Sequence, residues 1–391
     1  MSDSTYQVPI GPQHPALKEP ENFLLTVEGE EIIDVKIRLG YVHRGGEKAF
    51  ENRTYVQGMY LIERVCGICA QAHQLCYVNN LESLMDIEVP PRAHYLRTIV
   101  AELERIHSHL LWLGVAAHEI GFDTMFMYCW RDRELSLDLM EMMTGNRVLH
   151  AANTLGGVRR DITPEMMPKL KKGAAYLRGR SEYYKKLCLA ERTILKRALG
   201  VGMLSTKDAI ELCAVGPTTR ASNVKRDVRK YDPYSAYDEI PLNLITYDLC
   251  DVASRVLVRI DEVIEATNII EYAIDHLPSG PIGVRAPRSI PPGESVSLVE
   301  APRGEDIHYC KSNGTDKPER YKVRAPTLGN WASMRKMLIG GYVADVPIVL
   351  AAIDPCMSCT DRVAFIDVNS GKNWVWSTEQ IKKYSKTNGG R

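Results

Sequence analysis

Two Cys-x-x-Cys pairs lie at opposite ends of this 391-residue chain, Cys66 with Cys69 and Cys356 with Cys359. Thiolates are soft ligands, so four of them suit zinc, an iron–sulfur cluster or another soft transition metal. A zinc ribbon brings its pairs together within about 15–20 residues, whereas these pairs can meet only after the whole chain has folded. A thioredoxin-like redox pair needs a βαβ context, which the sequence lacks. The pairs therefore favour one metal site assembled by the tertiary fold, with the metal left open.

The charge balance and the apolar runs exclude several classes of protein. The chain has 49 Lys and Arg residues and 49 Asp and Glu residues, so it lacks the excess of basic residues that is typical of nucleic-acid-binding proteins. The N-terminus lacks the basic and apolar regions of a signal peptide, and no uncharged apolar run reaches the roughly 18 residues of a spanning helix. We expect a cytoplasmic chain with reduced cysteines, in which the six outside the pairs are buried small hydrophobes.

Periodicity predicts a mainly α fold with small β elements, an α+β protein. "FLLTV" and the alternating "DVKIRL" predict an N-terminal β-hairpin across the turn at "EGEE". Apolar residues at three- and four-residue steps predict long helices in the middle, one starting at Thr163-Pro164 and one over 243–276. Short strands follow a Pro/Gly-rich segment, in "VSLVEAP", "DIHYCKS" and "RYKVRAP". The expected architecture is a central bundle of long helices, flanked by the N-terminal hairpin and short C-terminal strands.

These patterns divide the chain into four stretches of one integrated unit. Residues 1–50 are an N-terminal β region, and residues 51–278 are the helical bundle with the first thiol pair. Residues 279–362 are a β and irregular region with the second pair, and residues 363–391 are a C-terminal tail. The two pairs thus lie in different regions, and the expected site lies where those regions meet.

Several stretches around the thiol pairs carry a family resemblance. They are "RVCGIC", "DPCMSC", "GPQHPALKEPENFLLTVEGE", "GYVHRGGEK", "ELERIHSHLLWLG", "GPTTRASNVKRDVRKYDPYSAYD" and "EAPRGE". Together they resemble the large, catalytic subunit of [NiFe]-hydrogenases, in particular the membrane-bound, energy-converting group 4 enzymes of the Ech, CO-induced and Mbh types. The 49-kDa subunit of respiratory complex I is similar in several of these stretches but lacks the four cysteines. The resemblance implies a hydrogenase large-subunit-like fold.

The resemblance also implies a Ni–Fe centre with CO and cyanide ligands on the iron. Carried over by position, Cys66 and Cys356 are terminal nickel thiolates, and Cys69 and Cys359 bridge nickel and iron. The implied reaction is the reversible heterolytic cleavage of H₂, in which Cys356 accepts the proton. Soft thiolates suit nickel because they stabilise several of its oxidation states. The chain has no further cysteine quartet, so we expect no iron–sulfur cluster in it.

Three further residues match catalytic positions of the family. Glu19 matches a proton-relay carboxylate, with Glu21 as its nearby competitor. Arg303 in "EAPRGE" matches an arginine that overhangs the open metal face, and Asp354 matches an acid that positions its neighbours. Without the resemblance, Glu19 is an ordinary surface carboxylate and Arg303 a solvated turn residue. The apolar run before Arg303 instead indicates that this arginine approaches the metal site from the protein core.

The resemblance raises the question of a second ion site. Glu47 in "HRGGE" matches a carboxylate that holds a structural Mg²⁺ or Fe²⁺ in many hydrogenases. In many relatives the partner ligand is a histidine three residues after the last cysteine, where this chain has Arg362, which cannot bind a cation. Many hydrogenases also lose a C-terminal peptide at this point, so residues 363–391 are a candidate maturation peptide.

Four histidines lie near these motifs, His43, His73, His107 and His109. Each is expected to be a core or surface group with its hydrogen bonds satisfied. His73 stays open as a site residue because it follows Cys69 closely in the sequence.

The implied function is that of the catalytic subunit of an energy-converting hydrogenase. Electrons would be exchanged with ferredoxin through a small subunit with a [4Fe–4S] cluster, alongside ferredoxin-like and complex I-like hydrophilic subunits. Integral membrane subunits would couple the reaction to ion translocation, which places the chain peripherally on the cytoplasmic side of the cell membrane. Two alternatives stay open: a metal-free complex I-like subunit that forms a quinone site or a scaffold, and a structural zinc protein.

Overall fold

The computed structural model describes residues 5–360 and 378–388. Its strands are β1 (Thr5–Ile10), β2 (Asn22–Glu28), β3 (Glu31–Arg38), β4 (Asn153–Thr154), β5 (Gly157–Val158), β6 (Gly293–Ala301), β7 (Gly304–Ser312) and β8 (Pro318–Arg324). Its helices are α1 (Gly46–Glu51), α2 (Tyr55–Ile62), α3 (Ala70–Met85), α4 (Pro91–Glu119), α5 (Asp123–Thr144), α6 (Met167–Ala190), α7 (Arg192–Ala198), α8 (Thr206–Glu211), α9 (Pro217–Arg220), α10 (Val228–Tyr231), α11 (Val252–Asp275), α12 (Pro326–Leu338), α13 (Val346–Ala352) and α14 (Thr378–Asn388). Short 3₁₀ turns cover Glu63–Val65 and Val343–Asp345.

The predicted N-terminal hairpin is present as β2 and β3, and β1 adds a third antiparallel strand to it. Side chains alternate as the sequence predicted, with Leu25 and Val35 paired and buried. Phe23 packs its ring 5.7 Å from that of Trp331 in α12, which fixes the sheet to the C-terminal part of the chain. The stretch between β1 and β2 is irregular and carries Glu19 toward the interior.

The central bundle consists of α4, α5, α6 and α11. α4 packs against α5 and α11, and α11 also packs against α6. α6 begins at Met167, with Pro168 in its first turn, rather than at the predicted Thr163-Pro164. Gly173 lets α6 approach α5 closely, because a Cβ there would lie 2.6 Å from a methyl carbon of Leu139.

α11 is shorter than the apolar pattern over 243–276 predicted. It begins at Val252, because the Asp251 carboxylate accepts the Ser254 N–H at 2.8 Å and so caps the helix. The preceding Cys250 has a φ of 63°, a left-handed conformation that no helix continues through.

A second antiparallel sheet has β7 between β6 and β8, and α3 packs across β6 and β7. The turn from β6 to β7 carries Arg303. Gly304 has a φ of 130° beside Gly216 at 70°, and a Cβ on Gly304 would lie 2.7 Å from the Gly216 Cα. This close backbone contact, which two glycines allow, fixes where the Arg303 turn lies.

Two hydrophobic clusters fill the described part of the chain. The larger one fills the bundle and its contact with the N-terminal sheet. The second lies between α3 and the β6–β8 sheet and contains all four paired cysteines. None of the described helices combines the length and the apolarity that crossing a bilayer requires. The α+β class and the central bundle with flanking β elements are confirmed.

Candidate metal centre

The fold brings the two thiol pairs together. The Sγ atoms of Cys66 and Cys356 lie 3.4 Å apart, and those of Cys356 and Cys359 lie 2.9 Å apart. The ligand atoms of Cys66, Cys356 and Cys359 all lie within 4.8 Å of one another, as do those of Cys69, His73 and Cys359. All four cysteines are at most 4% exposed. Four buried sulfurs from both ends of the chain therefore form one cluster, in which Cys359 belongs to both groups.

The first pair lies in a turn between two helices. Cys66 is extended after the 3₁₀ turn Glu63–Val65, and Cys69 is the residue before α3. Cys66 is thus outside a helix, and its Sγ accepts the N–H groups of Ile68 at 3.3 Å and Cys69 at 3.4 Å. Backbone donors aimed at sulfur favour a thiolate.

Protonation is unevenly shared among the four thiols. Hydrogen bonds from Cys356, and then from Cys359 and Cys69, hold the pKa of the Cys66 thiol well below its usual range. Burial and the hydrogen bond with Cys356 raise the pKa of the Cys359 thiol well above its usual range. Gathering several thiolates in an apolar interior is unfavourable unless cations neutralise them, and a bound metal ion does this directly. The arrangement therefore suits a metal with thiolate ligands.

The second pair follows α13, and residues from other parts of the chain bind its loop. Asp354 adopts a φ of 53°, and Pro355 then directs the chain to Cys356, whose N–H donates to Thr327 Oγ1 at 3.0 Å. Glu19 Oε2 accepts the N–H groups of Met357 at 2.5 Å and Ser358 at 3.1 Å. The structure thus brings the predicted relay carboxylate against the loop between the two cysteines.

Glu21, the competing carboxylate, lies elsewhere. Its side chain is completely buried, and burial raises the pKa of Glu21 to about 7. Glu19 is half-buried and lines a cavity of about 80 Å³ that also reaches Cys356 and Arg303. Of the two carboxylates, Glu19 is the one beside the thiols.

Arg303 reaches the thiols from the β6–β7 turn. Its Nε donates to the Asp354 carbonyl oxygen and its Nη2 to Asp354 Oδ1, both at 2.8 Å, and its Nη1 donates to Ser108 Oγ at 3.3 Å. Burial opposes the charge, yet Asp354 and the nearby thiols keep the pKa of Arg303 well above its usual range. The two predicted residues therefore form one buried unit, in which Asp354 orients Arg303.

His73 joins the cluster through residues that sequence reasoning missed. Its Nε2 lies 3.4 Å from Cys359 Sγ, and its Nδ1 lies 2.8 Å from Asp306 Oδ2. The same carboxylate oxygen lies 3.1 Å from His308 Nε2, and His308 Nδ1 lies 2.7 Å from the Tyr321 hydroxyl. The sequence did hold one signal: "DIHYC" places Asp306 and His308 at alternate positions of a strand, and so on the same face as Cys310.

The other three histidines singled out in the sequence have different surroundings, and His43 is exposed. His107 Nδ1 accepts the Arg133 Nε–H at 2.8 Å, and burial holds the pKa of His107 well below its usual range. His109 Nε2 lies 2.9 Å from Glu262, and burial lowers the pKa of His109 to about 4. Both are core histidines with polar partners.

Glu47 lies near the thiols but outside their cluster. Its Oε1 accepts the Val323 N–H at 3.1 Å, and its Oε2 lies 3.0 Å from an Arg320 nitrogen. Within residues 5–360 and 378–388, Glu47 belongs to no group of three ligand-type side chains at metal-binding distance. Arg362 and most of the tail lie outside the described residues. The Glu47 ion site stays a prediction.

The models of two known families match different parts of the chain. The model of the respiratory-chain NADH dehydrogenase 49-kDa subunit matches residues 119–292 and 284–362. The model of nickel-dependent hydrogenases matches residues 44–115, which contain the first thiol pair.

Two curated proteins are similar over nearly the whole chain. Formate hydrogenlyase subunit 5 of Escherichia coli is 41% identical over 379 residues, 97% of this chain and 67% of that protein. Membrane-bound hydrogenase subunit alpha of Pyrococcus furiosus is 41% identical over 395 residues, 97% of this chain and 92% of that protein. The chain belongs to the family of membrane-bound hydrogenase large subunits.

The fold is also similar to that of a chain in a solved structure. A chain of the membrane-bound sulfane sulfur reductase (MBS), an archaeal respiratory membrane complex, superposes with a TM-score of 0.87 at 32% identity. The match covers 93% of this chain and 100% of that chain. The hydrogenase relatives and the matching model of nickel-dependent hydrogenases support an oxidoreductase, and the buried thiol cluster fits a Ni–Fe site.

Proposed function

We propose that the chain is the catalytic subunit of an energy-converting [NiFe]-hydrogenase. The observation that carries the proposal is the convergence of four buried thiols, Cys66, Cys69, Cys356 and Cys359, from two distant parts of the chain. A complex I-like subunit without metal has no use for this cluster. A structural zinc site would not require the buried arginine and the carboxylate that face it.

The donor set fits the proposed cofactor. Cys66 and Cys356 would be terminal nickel ligands, and Cys69 and Cys359 would bridge nickel and iron, with CO and cyanide completing the iron. When bound, such a centre supplies a redox-active Lewis acid at which H₂ is split into a proton and a hydride equivalent. The chain's own contribution is a dry pocket, four soft donors and groups that manage charge and protons around them.

Proton movement is assigned to Cys356 and Glu19. The sulfur of Cys356 is the first acceptor, and Glu19 lines the same cavity and contacts the two residues that follow Cys356. Because Glu19 is half-buried, its carboxylate can exchange protons with the exterior. The proton then passes from the sulfur to the carboxylate and out of the protein.

Arg303 is assigned to the charge of the site. Arg303 is 3% exposed, and Asp354 accepts hydrogen bonds from two of its guanidinium nitrogens. A fixed buried cation beside thiolates stabilises negative charge that gathers there during the reaction. Asp354 acts through Arg303, whose position and orientation it fixes.

Electrons would be exchanged with ferredoxin through a partner. The six cysteines outside the pairs form no second quartet, so the [4Fe–4S] cluster belongs to a small subunit. Further ferredoxin-like and complex I-like hydrophilic subunits and integral membrane subunits complete the proposed assembly. In it the chain lies peripherally on the cytoplasmic side of the cell membrane, and H₂ chemistry is coupled to ion translocation.

The likeness to a chain of a sulfane sulfur reductase supports a second candidate. On that view the same thiol cluster serves the reduction of sulfane sulfur, and H₂ is not a substrate. An assay for polysulfide reduction with reduced ferredoxin, beside an assay for H₂ evolution, separates the two.

Exchange between D₂ and water protons tests the proposal, because it requires heterolytic cleavage but no electron partner. We expect the purified, nickel-loaded complex to release HD and H₂ from D₂. Cys356→Ser should abolish exchange, whereas Cys310→Ser, at a buried cysteine outside the cluster, should retain it. A loaded complex without exchange activity would contradict the proposed reaction.

A further inference from the structure

Ser358 lies between the two cysteines of the second pair, and residues of the N-terminal region bind all three of its polar groups. Its N–H donates to Glu19 Oε2 at 3.1 Å, and its hydroxyl donates to Glu19 Oε1. Its carbonyl oxygen accepts an Nη2–H of Arg44 at 3.1 Å. The first fifty residues therefore hold the second thiol loop from two sides.

Arg44 also binds the first thiol loop. Its Nη1 donates to the Arg64 carbonyl oxygen at 3.0 Å, and its Nη2 donates to the Val65 carbonyl oxygen at 2.9 Å. These two carbonyls end the 3₁₀ turn that leads directly into Cys66. Carbonyls at the end of such a turn lack partners within it and carry partial negative charge, which suits a guanidinium.

One guanidinium thus bridges the residues before Cys66 and the residue before Cys359. No backbone–backbone hydrogen bond joins the segment 63–69 to the segment 354–360 in the described part of the chain. The two loops therefore depend on side chains for their relative position. The planar fork of an arginine can bind three carbonyls at once, whereas the single ammonium of a lysine cannot reproduce this geometry.

We propose that Arg44 is a positioning residue that holds the two thiol loops at the separation a shared metal centre needs. Its hydrogen bonds to the described loops go to the carbonyl oxygens of Arg64, Val65 and Ser358, so it acts through the backbone beside the cysteines. The proposal rests on the proposed function in taking the four thiols as one metal site. Arg44 lies at the surface, so its replacement removes the bridge without opening a cavity in the core.

The test uses the metal-free, reduced full chain and Co²⁺ alone as the probe, read out by sulfur-to-cobalt charge-transfer absorption. Arg44→Gln should weaken Co²⁺ binding by about tenfold, which is the lower end of the effect of residues that orient metal ligands. The Co²⁺ affinity of Arg44→Lys should lie between those of the unchanged chain and Arg44→Gln. Arg335→Gln is the matched control, because Arg335 also binds a carbonyl oxygen, that of Val35 in the N-terminal sheet at 2.9 Å. The control should bind Co²⁺ like the unchanged chain.

A second readout needs no metal. Diamide oxidation of the unchanged chain should form the Cys66–Cys356 disulfide between the loops, whose sulfurs lie 3.4 Å apart, beside the Cys356–Cys359 disulfide within one loop, whose sulfurs lie 2.9 Å apart. Peptide mapping separates the two, and Arg44→Gln should slow formation of the disulfide between the loops several-fold. If the unchanged chain shows no thiolate–cobalt band, the shared metal site fails, and the oxidation rates still test the bridge. Equal Co²⁺ affinity or equal oxidation rates for the unchanged chain and Arg44→Gln would overturn the role of Arg44.

Discussion

Glu19 and Glu21 are two residues apart but have different surroundings. Glu19 is half-buried against the second thiol loop, whereas Glu21 is completely buried and lies outside the cavity that reaches Cys356. Their order in the sequence could not separate them, because the path of an irregular loop decides which carboxylate faces the thiols. The distinction leads to different expectations for the two residues.

Glu19→Gln should lower D₂ exchange by about 100-fold or more, since an amide cannot carry the proton and acid–base catalysis by one group contributes about 10²–10⁴-fold. Its nickel content should stay near that of the unchanged complex. Glu21→Gln is the control and should leave exchange within about threefold of the unchanged rate. An equal loss in both variants would remove the assignment of the relay to Glu19.

Glu21 should make stability depend on pH. Its pKa is raised from 4.5 to about 7 by burial, so the folded state binds this proton more tightly than the unfolded state. Stability from this group is present below pH 4.5 and is lost as the pH rises through about 7. Glu21→Gln should therefore raise the melting temperature relative to the unchanged chain at pH 8 but not at pH 4. Equal differences at both pH values would contradict the shift.

At the scale of elements, α3 is fixed to β7 by buried polar groups as well as by apolar packing. His73 in the first turn of α3 contacts Asp306, which also contacts His308 on the same face of β7. The two histidines lower the pKa of Asp306 well below its usual range, so this carboxylate stays charged in the interior. The contact connects the sheet to the helix that starts immediately after Cys69.

Asp306→Leu should reduce the free energy of unfolding by about 3–5 kcal/mol, because two buried histidines lose their shared carboxylate. Asp306→Asn, which keeps an acceptor oxygen, should lose less. Urea unfolding measures both, with Asp34→Asn as a control at an exposed ion pair with Arg335, where the cost should be at most about 1 kcal/mol. A near-zero effect of Asp306→Leu would show that apolar packing alone holds α3.

Periodicity was enough to predict the hairpin β2–β3 and the long helices, because those patterns are local. It misplaced the start of α11, which was predicted at Asn243 but lies at Val252, where Asp251 caps the helix. The four cysteines follow from motifs, and the structure brings Glu19, Arg303 and Asp354 to them. Arg44 could not be assigned from sequence, because its contacts join loops that meet only in the folded protein.

At the scale of the whole molecule, the thiol site forms only when distant parts of the chain meet. The N-terminal region, the turn before α3 and the loop after α13 each supply part of it. If the metal binds before the C-terminal part of the chain has folded into its final position, that part stays accessible to a peptidase. The candidate maturation peptide, residues 363–391, lies mostly outside the described residues, so its removal stays a prediction.

Intact mass spectrometry checks this prediction. The large subunit from active complex should lack the mass of residues 363–391, whereas the chain from nickel-starved cells should retain it. An active subunit that still includes Arg391 would show that the tail is kept.

The central claim is that the four thiols hold a Ni–Fe centre with CO and cyanide on the iron. Infrared spectroscopy of the purified, nickel-loaded complex tests it most directly, because these diatomic ligands absorb where protein does not. We expect CO and cyanide bands from the unchanged complex and none from Cys359→Ser. A fully loaded, properly matured complex without these bands would contradict the [NiFe] assignment.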